Sequence, residues 1–83
     1  MCYNRHMSIA KEFRVYNAEG LGEAIRHFRE QAGMTQTELA ELVGIRQSYL
    51  SELENGHANE QVRRLIALFK ALGVRVVVGQ ADW

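Results

Sequence analysis

The chain has 83 residues, ten Lys and Arg against ten Asp and Glu, and 47 % apolar residues. That length suits one domain, near the size where a single core gives only marginal stability and oligomerisation is a common remedy, and a formal charge of zero argues against the indiscriminate nucleic-acid coating that comes with net basicity. No apolar run approaches the roughly 18 residues of a membrane span, the start (MCYNRH) lacks the apolar stretch of a signal peptide, and the single cysteine, Cys2, permits no internal disulfide, so a soluble protein of the reducing cytoplasm is expected, with Cys2 an ordinary thiol.

Residues 1–17 read as a tail in which "EFRVY" (residues 12–16) is a short β-prone run. A helix is expected from about Ala18, because Leu21, Ile25, Phe28 and Ala32 recur at helical spacing and stop at Gly33. In "MTQTELAELVG", Thr35 stands three residues before Glu38, the spacing of a capping box, and Met34 and Leu39 flank it as a hydrophobic staple. Gly44 ends that helix after about two turns, and a second short one, "RQSYLSELEN", runs to Gly56. A last helix begins at Asn59 and ends at Gly73, with Val62, Leu65, Ile66, Phe69 and Leu72 expected to face the core. After it "ALGVRVVVGQ" changes period: Val74, Val76 and Val78 alternate as in a strand. These boundaries give a tail (1–17), a helical domain (18–73) and a strand with its own tail (74–83).

Two short helices joined tightly at a glycine match a helix-turn-helix, whose second helix lies in the DNA major groove. At about 100° per residue, Leu50 and Leu53 point inward, Ser48, Ser51, Glu52 and Asn55 share the opposite face, and Gln47 sits on the exposed first turn. Short polar side chains there can reach base edges, although an ordinary solvated helix face has the same composition.

The run "MTQTELAELVGIRQSYLSELENG" resembles the helix-turn-helix of the Cro and lambda-repressor type, the XRE family, through TQ-x-ELA, G-I and S-x-LS-x-LE-x-G. The resemblance extends from about Leu21 through "LIALFKALG" and implies a mainly α fold, a four-to-five-helix lambda-repressor-like DNA-binding domain with its motif at about 36–55. It implies that Gln36 and the start of its helix hold a phosphate, that Gln47, Ser48 and Glu52 read bases, and that Asn55 meets the DNA backbone. Arg46, in the turn, can meet phosphate as well, and Arg29 and Glu54 match a partly buried ion pair between the first and third helices. The sequence departs from the family in two ways. Arg46 stands where Ser or Thr often caps the recognition helix, and residues 36–55 carry Glu38, Glu41, Glu52 and Glu54 against Arg46 alone, a local charge of −3. A single copy is therefore expected to bind weakly, and a homodimer on two half-sites of a palindromic operator in double-stranded DNA to supply the rest.

The strand after "KALG", the "LGEAIRHFRE" helix and the short length resemble HipB-like antitoxins, whose C-terminal strands pair across a two-fold axis. On that resemblance Val74, Val76 and Val78 form a dimer seam, the chain represses its own operon, and it neutralises a HipA-like serine/threonine kinase toxin. Two pairings remain open for the strand: with a second copy, or with Phe13–Tyr16 of the same chain. Trp83 is a candidate anchor for a protein partner, since tryptophan is enriched in binding hot spots; local packing is the plainer alternative.

Catalysis is not expected. His6, His27 and His57 are scattered without metal-ligand spacing, no glycine-rich phosphate loop is present, and no nucleophile–base pair is suggested. Neither a cofactor nor a metal is implied. The alternatives to an antitoxin are a stand-alone XRE or phage-type regulator and a protein-interaction module that kept the fold.

Overall fold

In the computed structural model, which describes residues 12–81, three of the four helices described begin where a side chain satisfies free backbone N–H groups. Asn17 accepts from the Gly20 N–H at 2.8 Å and opens α1 (Ala18–Gln31). Thr35 accepts from the Glu38 N–H at 3.0 Å while the Glu38 carboxylate accepts from the Thr35 N–H at 2.9 Å, the reciprocal pair that opens α2 (Gln36–Val43). Asn59 accepts from the Val62 N–H at 3.0 Å and opens α4 (Glu60–Ala71). Only α3 (Gln47–Glu54) starts without a side-chain cap, because Arg46 has no acceptor to give. Gly44 takes φ 79°, the left-handed value that turns α2 sharply into the approach to α3.

Two short strands, β1 (Phe13–Val15) and β2 (Val76–Val78), flank the helices and pair antiparallel, with Phe13 opposite Val78 and Val15 opposite Val76. Of the two pairings left open by the sequence, the chain makes the internal one. Val74 precedes the strand, because its N–H still closes the end of α4 on the Phe69 carbonyl at 2.8 Å. Val76 and Val78 are half-buried, and Val77 is the outward residue of β2.

The buried apolar set is small: Val15, Ala18, Ala24, Ala40, Leu50 and Ile66. Helix α1 packs on α3 so closely that a Cβ on Gly22 would overlap the carbonyl oxygen of Leu53 and crowd that of Glu54 at 2.9 Å, so glycine is required there by contact with a neighbour rather than by its own dihedrals. Helix α4 turns Ile66 inward, with Val62 and Phe69 half-buried beside it. Leu65 and Leu72, expected to face the core, do not: they are 52 % and 71 % exposed, and with Leu68 they make a second apolar stripe along the outside of α4. Apolar residues recur on more than one face of this helix, and among the described residues Ile66 is its one buried side chain. Cys2, His6 and Trp83 lie outside the described residues.

Candidate nucleic-acid interface

The turn at Gly44 sets α3 against α2, and a buried carboxylate fixes both to α1. Glu54, at the end of α3, is buried and receives a two-pronged contact from Arg29 of α1, Nε to Oε2 at 2.6 Å and Nη2 to Oε1 at 3.0 Å. A third donor of Arg29, Nη1, reaches the Met34 carbonyl at 2.8 Å and so also holds the loop between α1 and α2. Planar guanidinium and carboxylate groups match in this fork geometry, and the charge assistance makes such bonds about twice as strong as neutral ones. Burial alone would raise the pKa of Glu54. The hydrogen bonds from Arg29 and Gln36, the charge of Arg29 and a contact from Arg26 outweigh it and hold the carboxyl below its ordinary value. Arg29 is correspondingly pushed up by its hydrogen bond to Glu54, against its own desolvation.

The network continues to the exposed face of α3 through two glutamines. Gln36 Nε2 donates to Glu54 Oε1 at 3.0 Å, and Gln47 Nε2 donates to Gln36 Oε1 at 2.7 Å. A carboxylate only accepts, so it turns the Gln36 amide nitrogen toward itself; the Gln36 oxygen is left for Gln47, whose own Oε1 and second N–H remain unused by this relay. The charge buried between α1 and α3 thereby sets which way the exposed Gln47 amide faces. Gln36, expected on a phosphate, is half-buried and held at both ends, which leaves its second side-chain N–H and the start of α2 for an anion.

Arg46, Gln47, Ser48 and Glu52 are exposed, whereas Ser51 is half-buried on the flank of α3. Asn55, at the C-cap of α3, accepts from Arg26 Nη2 at 3.1 Å. Arg26 also lies 3.5 Å from Glu54 Oε1 with its side chain 46 % exposed, so it adds a cation beside the end of α3. The sequence reading missed it. Its one signal was its place three residues before Arg29, on the same face of α1. The local charge of −3 is revised by the same geometry: Glu54 is inside and matched by Arg29 and Arg26, and the Glu38 carboxylate is turned back onto its own helix start. His27 is engaged in an aromatic cluster with Phe13 and Phe28, ring centroids 5.2 and 4.9 Å away. Among the described residues no group of His, Cys, Asp or Glu could hold a metal ion, and no helix is long and apolar enough to cross a membrane.

The model of the helix-turn-helix family matches residues 25–78. The chain belongs to that family. Its XRE-type relatives include the antitoxin HipB of Escherichia coli K12, 29 % identical over 82 % of this chain and 77 % of the relative. The immunity repressor protein of Bacillus phage phi105 is 34 % identical over 72 % of this chain and 43 % of its own length. A helix-turn-helix transcriptional regulator of Sinorhizobium fredii is 41 % identical over 65 % of this chain and 70 % of the relative. No solved structure matches. This helix-turn-helix protein is thus a transcriptional regulator of XRE type, of a family that is not enzymatic.

Proposed function

We propose that the chain is a repressor that reads a palindromic operator as a homodimer, with α3 in the major groove and Gln47 as its principal base-reading side chain. The observation that carries this reading is the relay from Arg29 through Glu54 and Gln36 to Gln47. A glutamine whose Oε1 and one N–H are both free can meet adenine at N6 and N7 together, a pairing worth about 1–3 kcal/mol of discrimination. Ser48 and Glu52 lie within the same face, Arg46 and Arg26 flank it for phosphates, and Asn55 meets the backbone near Arg26. Binding-site selection from random duplexes, followed by titration of Gln47→Ala, tests it. The variant should lose about 1–3 kcal/mol at one operator position and relax to any base there; uniform weakening at every position would refute base reading by Gln47.

The homodimer is supported by the outer stripe of α4 and by the edge of β2 that β1 does not cover. An open strand edge invites a further strand, and two copies meeting there would extend the sheet across a two-fold axis.

The similarity to HipB supports a second role, as the antitoxin of a type II toxin–antitoxin system that represses its own operon and neutralises a HipA-like serine/threonine kinase. The competing reading, a stand-alone regulator without a toxin, is favoured by the likeness to a phage repressor and to general regulators. Co-expression with the product of the neighbouring gene separates them: a stable kinase complex that blocks kinase activity supports the antitoxin, and its absence leaves the regulator.

A further inference from the structure

Helix α1, the start of α2 and the segment after β2 enclose an apolar groove of about 610 Å³. Leu21, Ile25 and Phe28 form one wall and Met34 and Leu39 the floor, all five half-buried. The far wall is the chain itself, running from Val78 through Gly79 and Gln80 to Ala81. Apolar side chains lining an open groove keep a hydration cost that an apolar occupant removes.

The sequence supplies such an occupant two residues farther on. Trp83 is the single tryptophan of the sequence, and two extended residues span about 7 Å, so the groove is within its reach from Ala81 on the wall. An indole is the largest apolar side chain available, and its N–H suits a rim where polar groups are within reach. Arg29 lines the same groove, its guanidinium held in place by Glu54 and the Met34 carbonyl, and a fixed planar cation is a favourable neighbour for an indole face. We propose that Trp83 docks into the groove of its own chain, against Leu21, Ile25, Phe28, Met34 and Leu39. Docking ties the segment after β2 to the floor beneath α2, next to Gln36 and the relay, and it holds whether or not the chain has a toxin partner.

Because there is one tryptophan beside three tyrosines, fluorescence excited at the red edge, where tyrosine does not absorb, reports Trp83 alone. The folded protein should emit to the blue of the urea-unfolded chain and be quenched several-fold less efficiently by acrylamide, unchanged across a wide dilution series. Nuclear Overhauser contacts should join the indole to the Met34 and Leu39 methyl groups. Ala32→Glu places a charge on the exposed rim without removing a core side chain; it should return the emission to the red while the far-ultraviolet circular dichroism stays helical. Three results would overturn the proposal: emission and quenching equal to those of the unfolded chain, indole burial that grows with protein concentration and so belongs to a second copy, or contacts that place a side chain other than the indole in the groove.

Discussion

Glu54 joins three elements through one carboxylate, so its removal should cost more than a surface ion pair. Glu54→Ala leaves the Arg29 guanidinium, 11 % exposed, without its partner, and breaking a buried pair this way costs about 3–5 kcal/mol. Urea denaturation should show that loss, and the double change Arg29→Met with Glu54→Leu should recover much of it, since a well-packed apolar pair avoids the desolvation of two charges. The pH dependence has a definite sign. The folded-state pKa of Glu54 lies below its ordinary value, so its contribution is fully present above the unfolded carboxylate pKa of about 4.3 and is lost as pH falls through the lower folded value. The urea midpoint should therefore drop on acidification below about pH 4, and more shallowly in Glu54→Gln; equal slopes would remove Glu54 from the account. The pairing of Arg29 with Glu54 was readable from the family motif, but the orientation of Gln36 was not, because it follows from which atoms of three side chains meet across α1, α2 and α3.

Helix α3 combines an uncapped start with the exposed face proposed to read bases, and the two properties share Arg46. Arg46 has extended backbone, φ −75° and ψ 141°, the conformation a capping serine takes. Arg46→Ser should add about 1 kcal/mol of stability through a bond to a free N–H of the first turn, while weakening DNA binding almost uniformly across sequences and reducing the salt slope by about one. Thermal denaturation and salt-dependent titration measure the two effects separately, and a loss of both stability and affinity would refute the trade. Helix starts and stops were legible because Asn17, Thr35, Asn59 and Gly44 act on backbone groups within a few residues. The partner of β2 was not, since "EFRVY" and a second copy of "VRVVV" satisfy the same alternation. Gly22 escaped notice for a related reason: its need for no Cβ comes from the Leu53 carbonyl, 31 positions away.

Among the described residues, six buried apolar side chains stand against Leu65, Leu68 and Leu72 on α4 and Val74 and Val77 near β2, all about half exposed or more. Such an imbalance marks an interaction surface, and helical spacing misassigned Leu65 and Leu72 because it reveals apolar faces without telling which of them a single chain can cover. Leu65→Glu with Leu68→Glu should stay helical, as neither side chain belongs to the core, yet sediment as a monomer and lose cooperative binding to a palindrome while keeping half-site affinity; an unchanged dimer would move the seam elsewhere. The β1–β2 clasp has one more consequence, in the order of synthesis. The four described helices are encoded between the two strands, so α1 to α4 leave the ribosome while β1 still lacks its partner, and the ladder closes only after residues 76–78 have emerged. Contacts that span most of a chain form late and slowly. A stalled nascent chain ending within α4 should accordingly carry a helix-turn-helix whose β1 is unpaired, an intermediate on which chaperones and proteases can act.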